Sequence, residues 1–405
     1  FCSYEWTSTP DNRNMHRNVF FKDCAKVPQM PFSSLESSDP TDLWKWMDDQ
    51  RQAGNDLLAI SHNANLSDGH MFPLDIDQKG RPIDAAWAAS RDRNEHLTEI
   101  KQVKGQSETH PVLSPSDEFA NYELLNYLLG NPDGRNPVIP GSFVRQGLKD
   151  GLTMQATLGY NPYKMGFVGG SDSHDTGVPY RQDNFFGAHG VNDGNIKERM
   201  GGHVFAGLDV RFENPAGLTG LWAEENTRPA LFEAMQRKET FATSGPRIQV
   251  RLFGGWDYEA DAEAAKKREF WKLVPDWIKD RLWVSRAYEQ GVPMGGQLEP
   301  APAGKKTPSF AVWAVKDPTS GNLDRVQIVK GWSKNGQSFE QVYDVAWADD
   351  RKPDVITHNI PPIGSTVDIA NASYTNAIGA VELKSVWTDP DFDPNVDAFY
   401  YARVL

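Results

Sequence analysis

An Asp-x-His pair follows one of the clearest apolar segments of the sequence. Asp172 and His174 stand two residues apart, just after the apolar residues 164–170. Side chains two residues apart on an extended chain point to the same face, so both can reach one metal ion. The pair therefore predicts a metal site. A Gly-rich turn with a capping Asp and a surface His is the alternative.

A histidine ends a second apolar segment. His62 follows the strand-like residues 56–61, and Asn63 comes directly after it. A His at the end of a strand is either a metal ligand or a hydrogen-bonded group of the core. We predict a ligand role for His62, and we expect Asn63 to hold a substrate oxygen or to orient the imidazole ring.

A third candidate pair stands near the first residue. Glu5 lies between aromatic residues in a strand-like segment, and His16 follows eleven residues later. Burying a carboxylate is costly unless it meets a cation. A metal ion bound by Glu5 and His16 would provide that cation, and a salt bridge from Glu5 to Arg13 or Arg17 is the alternative.

Four basic residues are candidates to hold an anionic oxygen of a substrate. Arginine offers a planar fork of two donors that matches such oxygens, whereas lysine acts as a compact charge. We place Arg247 and Lys101 among the catalytic candidates, and Arg17 and Arg181 among the substrate-binding candidates beside Asn63. A solvated surface position is the alternative for each arginine.

Apolar periodicity predicts alternating strands and helices in the first 245 residues. Residues 56–61 and 164–170 have the pattern of strands, and residues 42–53, 121–129, 143–158 and 227–238 have the pattern of helices. This alternation favours α/β layering and suggests a barrel, in which functional groups lie at the carboxyl ends of the strands. After Arg247 the pattern changes: residues 248–253 alternate like a strand and residues 260–290 have a helical pattern. From about Gly291 onward the sequence is rich in Pro, Gly and β-forming residues, which indicates an antiparallel β domain.

Composition restricts the partners and the compartment. The formal net charge is −13 and no block of basic residues is present, which argues against binding to the phosphate backbone of nucleic acid. No apolar run is long enough to span a bilayer. The two cysteines, Cys2 and Cys24, exclude a Cys-rich zinc module. Whether they pair stays open.

Together these segments resemble the PHP (polymerase and histidinol phosphatase) superfamily, and more closely a bacterial family catalogued as domain of unknown function 3604. The resemblance covers nearly the whole chain. Its most specific match is the closing Ser-Asp-x-His motif, which begins at Ser171. The family's His-x-His and Asp-His motifs have no counterpart here, and we expect them to precede Phe1.

The resemblance implies a fold and a domain order. We expect an α/β protein with a distorted (β/α)7 barrel that lacks its first strands, followed by a smaller antiparallel β domain. The predicted boundaries are residues 1–246 for the metal-binding barrel, 247–290 for a strand and helical connector, and 291–405 for the β domain.

The resemblance also implies a ligand set and a chemistry. The ligands would be Glu5, His16, His62, Asp172 and His174, and they would hold two or three ions of Zn, Mn or Fe. A metal-bound hydroxide would attack a small phosphomonoester or phosphodiester. Related proteins often place a Glu or Cys facing the site near the position of Glu99, which is therefore a catalytic candidate, with Glu108 as its competitor.

Other functions stay open at this stage. Sulfate or phosphonate ester hydrolysis needs the same metals, and one scaffold hosts many chemistries. A non-catalytic binding protein with a decayed metal site is a second alternative, and a nuclease is the weakest because a basic groove is missing. We expect a bacterial protein exported to the periplasm or secreted. The oligomeric state is not readable from the sequence.

Overall fold

The computed structural model describes residues 1–125, 128, 137–174, 195–197, 204–205, 208–209, 217–258, 274–304, 307–354 and 359–405. The chain forms two compact units. The first contains Phe1–Gly245 and Asn335–Ser338, and the second contains Pro246–Lys334 and Phe339–Leu405.

A six-stranded mixed sheet organises the first unit. Its strands are β1 (Cys2–Trp6), β2 (Arg17–Phe21), β3 (Leu57–Ser61), β4 (Leu97–Gln102), β5 (Gly105–Gln106) and β6 (Gly166–Gly169). The order is β1-β2-β3-β4-β5, and β6 also pairs with β4. β2 runs antiparallel to both β1 and β3, whereas β3, β4 and β6 are parallel to one another.

Helices cover both faces of this sheet. They are α1 (Pro40–Gln52), α2 (Ala85–Asn94), α3 (Val144–Leu158) and α4 (Arg228–Gln236). On one face, Leu43, Trp44 and Met47 of α1 pack against apolar side chains of β1, β2 and β3. On the other face, Phe232 and Met235 of α4 pack against β3, β4 and β6. All five residues of β3 are therefore buried, as expected for a strand covered on both sides.

Local sequence signals explain where α1 begins and ends. The Asp39 carboxylate accepts a hydrogen bond from the Thr41 amide, and Pro40 occupies the first turn. Gly54 then adopts a positive φ of 81° just beyond the helix. The helices predicted over 42–53, 143–158 and 227–238 are confirmed as α1, α3 and α4. The helix predicted over 121–129 is not formed at residues 121–125, where the chain makes turns.

The predicted (β/α)7 barrel is wrong. A barrel of this kind needs successive parallel strands, each linked to the next by a helix. Here β1 and β2 form an antiparallel pair joined by residues 7–16, and the described strands form an open sheet together with smaller sheets. The additional strands β7 (Val204–Phe205), β8 (Leu208–Asp209), β9 (Thr219–Leu221) and β10 (Thr240–Ala242) make two separate two-stranded sheets.

The second unit contains two further sheets. The first has the order β12-β11-β13-β16 and the second the order β15-β14-β17. Two short helices, α5 (Asp276–Lys279) and α6 (Trp283–Gln290), place Trp277 and Trp283 in the core against β11, β13 and β16. The strands are β11 (Gln249–Gly255), β12 (Gly291–Pro293), β13 (Ser309–Val315), β14 (Arg325–Lys334), β15 (Gln337–Trp347), β16 (Glu382–Thr388) and β17 (Ala398–Val404).

None of the helices in the described parts of the chain has the length and apolar composition needed to cross a membrane.

Candidate metal centre

One edge of the six-stranded sheet collects the acidic and imidazole side chains. β1, β3, β4 and β6 share one direction, so their carboxyl ends meet at this edge. Glu5 lies near the end of β1, His62 follows β3, and Asp172 follows β6. His16 precedes β2, which runs in the opposite direction, and it therefore reaches the same edge. Topology thus brings together residues from four separate segments.

Glu5, His16 and His62 are close enough to share one ion. One ligand atom from each lies within 4.8 Å of the other two. The Glu5 carboxylate is 2.8 Å from Nδ1 of His16 and 3.7 Å from Nε2 of His62. Ligands that each lie about 2.1 Å from one ion are separated by no more than about 4 Å. Small side-chain movements would therefore complete a three-ligand site.

Glu99 fixes the orientation of His62. One carboxylate oxygen of Glu99 accepts a hydrogen bond of 2.6 Å from Nδ1 of His62 and another of 3.1 Å from the Asn63 amide. Both His62 and Glu99 are buried. With Nδ1 held in this way, Nε2 faces Glu5 and the Asp172 carboxylate, which is 3.2 Å away. A carboxylate behind a metal-binding histidine characteristically fixes its tautomer and ring orientation.

Glu5 and His16 have the protonation states that a metal ion requires. Burial raises the pKa of Glu5, but the hydrogen bond with His16 and the charges of His62, His16 and His174 lower it to about 2. Burial lowers the pKa of His16 below its ordinary value, against the opposing effect of Glu5. At neutral pH, Glu5 is therefore a carboxylate and His16 a neutral imidazole, the forms in which both residues bind cations.

The Asp-x-His pair does not have the extended conformation that the spacing argument assumed. Asp172 has a positive φ of 52°, so the chain turns there and the strand argument does not apply. Its carboxylate is buried against His62, whereas His174 is exposed and its Nδ1 bonds to the Asp172 backbone carbonyl. The three-residue group close enough to share one ion contains neither Asp172 nor His174.

Lys104 is the member of this edge that the sequence did not single out. Its ammonium group contacts the Asp172 carboxylate, and its side chain is only 7% exposed. It lies in the turn between β4 and β5, forty-two residues after His62. No spacing pattern links Lys104 to the other residues. We call Glu5, His16, His62, Glu99, Lys104 and Asp172 the edge cluster.

The salt bridge from Glu5 to Arg13 or Arg17, which was the alternative to a metal site, is absent from the described contacts. Arg17 is fully buried and bonds to Glu95 at 2.8 Å. Arg13 bonds to Asp11 and Asp68. Arg17 therefore forms a buried ion pair inside the unit, and its burial keeps it from reaching a substrate.

The remaining candidates have separate positions. Lys101 is buried and contacts Glu123 at 3.0 Å. Arg247 belongs to the second unit, and Arg181 lies outside the described residues. Asn63 is buried beside His62 in a left-handed conformation, and its side-chain oxygen has no hydrogen-bond partner. Such an unsatisfied buried acceptor is rare in proteins.

A disulfide secures the strand that carries Glu5. Cys2, at the start of β1, is bonded to Cys24, which follows β2. The pairing that the sequence left open is therefore present in the structure. It closes the β1–β2 pair at the end opposite the edge cluster, because Glu5 and His16 lie at the other end of these strands.

Comparison with known proteins gives one result. A family model described as "Protein of unknown function (DUF3604)" matches residues 1–405. No curated protein and no solved structure matches the chain. The family match covers both structural units. The chain therefore belongs to the DUF3604 family of proteins of unknown function.

Proposed function

We propose that this protein is a metal-dependent hydrolase of phosphomonoesters or phosphodiesters, related to the PHP superfamily. The observation that carries the proposal is the meeting of Glu5, His16 and His62 at one sheet edge, with a ligand atom from each within 4.8 Å of the others. Mixed carboxylate and imidazole ligands favour Zn, Mn or Fe over Ca or Mg.

The residues present fit such an ion. Glu5 is ionised, His16 is neutral, and Glu99 holds His62 with Nε2 directed at Glu5. The unsatisfied side-chain oxygen of Asn63 adds a further polar atom beside His62. A divalent ion supplies Lewis-acid stabilisation of developing negative charge and makes water a better nucleophile at neutral pH.

The protein's own side chains would then orient the reactants. Glu99 prevents rotation of the His62 ring, since one of its oxygens bonds both the ring and the following backbone amide. Asp172 presents one oxygen to His62 and the other to Lys104. The Lys104 ammonium provides a fixed positive charge, which suits a small anionic ester better than a neutral one.

The disulfide supports a proposal about the compartment. Disulfides persist in oxidising surroundings and are rare in the bacterial cytosol. The Cys2–Cys24 bond is therefore an argument that the protein works in the periplasm or outside the cell.

The proposal is tested by metal analysis together with hydrolysis assays. The purified protein is assayed with nitrophenyl phosphomonoester, phosphodiester and sulfate substrates after incubation with Zn²⁺ or Mn²⁺. We expect turnover of a phosphoester and at least a hundredfold loss in His16→Ala, because a ligand is removed. His110→Ala is the matched control, since the His110 ring packs against Phe143.

Each alternative has its own outcome. Preferential cleavage of the sulfate would support the proposed hydrolase activity but would make sulfate esters the substrate class. A protein that retains no ion and cleaves none of the three substrates would favour a non-catalytic binding protein.

A further inference from the structure

We infer that a small cavity beside Arg91, in the first unit, is a binding site for a chloride ion. The walls of this cavity include Arg17 at the start of β2, Arg91 and Trp87 of α2, and the carboxylates Asp39 and Asp77. No residue of the edge cluster lines it. The inference therefore concerns a separate site and stands independently of the proposed hydrolase function.

Unpartnered nitrogen atoms of Arg91 and Trp87 are the first argument. Arg91 is only 1% exposed, and its Nη1 donates a hydrogen bond of 2.8 Å to the Met71 carbonyl. Its Nε and Nη2, together with Nε1 of Trp87, are buried without a hydrogen-bond partner among the described residues. Buried donors without a partner are rare in proteins. Three of them in the wall of one cavity indicate that an acceptor binds there.

The charge of Arg91 is the second argument. Its Nη2 lies 3.4 Å from the Glu95 carboxylate. That carboxylate already accepts hydrogen bonds of 2.8 Å from Arg17 and 2.6 Å from Trp44. One carboxylate between two buried guanidinium groups leaves one positive charge over, and a buried charge without a counter-ion is costly. The surplus at this cavity is therefore positive.

Aromatic rings surround Arg91 without removing that surplus. The rings of Tyr163, Phe72, Trp87 and Trp44 lie 4.9, 5.4, 5.7 and 6.0 Å from its guanidinium carbon. Such rings attract the cation through their faces. They carry no net charge, and they exclude water from the guanidinium group. An anion in the cavity would accept from the in-plane N–H groups and neutralise the charge.

The two carboxylates in the cavity wall already have cations of their own. Asp39 contacts Lys79 at 2.9 Å and Arg81 at 2.7 Å. Asp77 contacts Arg81 at 2.5 Å. These ion pairs reduce the repulsion that Asp39 and Asp77 would exert on an anion, and neither carboxylate is printed as a partner of Arg91. The positive surplus of Arg91 therefore remains available to a ligand.

The size of the cavity determines which anion fits. Its volume is about 10 Å³, which accommodates one particle of about the size of a water molecule. Phosphate and sulfate are larger than this. Water would fit, but it has two acceptor lone pairs and no charge. A chloride ion accepts from all three donors and also balances Arg91, so it matches the cavity better than water does.

The ion would hold together segments that are distant in the sequence. Arg17 donates from Nη1 to the Met15 carbonyl, and His16 lies between these two residues. Arg91 holds the Met71 carbonyl from α2. An ion that contacts both cavity walls would link α2 to the start of β2. We therefore expect chloride to stabilise the folded first unit.

Bromide provides the direct test, because it replaces chloride and gives an anomalous signal in X-ray diffraction. Crystals of the wild-type protein are soaked in sodium bromide, and an anomalous difference map is calculated. We expect a peak in the cavity, in contact with Nε of Arg91 and Nε1 of Trp87. The absence of such a peak would overturn the anion site and assign the cavity to water.

Thermal unfolding measures chloride binding in solution. Sodium gluconate is replaced by sodium chloride at constant ionic strength. We expect the unfolding midpoint of the wild type to rise by at least about 3 °C when chloride is in large excess over its dissociation constant. Arg91→Met removes the guanidinium group and should abolish this rise. Circular dichroism reports whether that variant folds.

A conservative variant keeps the test decisive where Arg91→Met does not fold. Trp87→Phe removes one donor and keeps an aromatic ring, so the chloride affinity derived from the unfolding shift should fall about tenfold. Trp46→Phe is the matched control, because Trp46 is a half-buried tryptophan of α1 outside the cavity wall. It should retain the wild-type affinity. Equal chloride affinities in Trp87→Phe and Trp46→Phe would contradict the proposed site.

Discussion

Charged side chains in the two units are balanced in different ways. In the second unit, Lys330 is buried and pairs with buried Asp389 at 2.6 Å, and Tyr400 donates a hydrogen bond of 2.7 Å to the same carboxylate. In the first unit, the edge cluster contains three carboxylates and one lysine, Lys104. The pair in the second unit is neutral as it stands, whereas the edge cluster has a surplus of negative charge.

The difference separates structural charges from those available to a ligand. A buried one-to-one pair needs no further group, and the same holds inside the first unit for Arg17, which pairs with Glu95. The side chains of Glu99 and Asp172 are buried beside Glu5, and neighbouring carboxylates in such surroundings are costly unless a cation joins them. The surplus of carboxylates, rather than burial itself, therefore supports the proposal that a cation binds at the edge cluster.

The largest expected effect comes from breaking the neutral pair. Lys330→Met should lower the free energy of unfolding by about 3–5 kcal/mol, because it leaves a buried carboxylate without its cation. Chemical denaturation followed by tryptophan fluorescence measures this. The double variant Lys330→Met/Asp389→Asn should be less destabilised than the single one. Equal or additive losses would contradict the comparison.

The second test concerns the Cys2–Cys24 disulfide. The second unit has no such bond, because both cysteines lie in the first unit. Cys2→Ser should lower the free energy of unfolding of the first unit by about 3 kcal/mol, since the unfolded chain loses a loop constraint. Wild-type protein in reductant serves as the control and should behave like the variant. Unchanged denaturation midpoints in both would show that the bond contributes nothing.

The third test changes the carboxylate behind His62. Glu99→Leu should weaken divalent-ion binding by about a hundredfold and Glu99→Gln by about tenfold, because glutamine can keep the hydrogen bonds through one oxygen but loses the charge. Calorimetric titration gives both affinities. Equal affinities in the two variants would mean that the charge of Glu99 plays no part.

The smallest effect is expected at Asp150, a carboxylate of α3 outside the edge cluster. Burial, partly offset by a hydrogen bond from Gln146, raises the pKa of Asp150 to about 6. The folded protein therefore keeps this proton after the unfolded chain has lost it, and stability falls as pH rises from about 4 to 6. Asp150→Asn should recover about 1–2 kcal/mol at pH 7.

The pH dependence provides the control for that prediction. Below pH 4 the Asp150 side chain is protonated in both the folded and unfolded states, so the gain from Asp150→Asn should vanish there. Thermal unfolding between about pH 3 and 8 measures the difference from the wild type. A gain that does not change with pH would assign the effect to packing instead of charge.

The sequence by itself determined the local elements and the kinds of ligand. Apolar periodicity located α1, α3 and α4, because it acts over a few neighbouring residues. A strand-end position singled out His62, and a carboxylate between aromatic residues singled out Glu5 with His16. The structure brings these three together at one sheet edge. Local patterns succeed here because a side chain at the end of a strand stays there in whatever sheet the strand joins.

Only the tertiary structure decided the pairing of distant residues. The sheet is open and mixed because β2 runs antiparallel to both of its neighbours. No local sequence pattern indicates whether β2 runs parallel or antiparallel to β3. The left-handed turn at Asp172 separated it from His174 and directed its carboxylate to Lys104, a residue 68 positions away. The sequence suggested Arg17 as a substrate-binding arginine. In the structure Arg17 is buried and forms an ion pair with Glu95. Charge pairing depends on neighbours in space, and a linear pattern does not contain them.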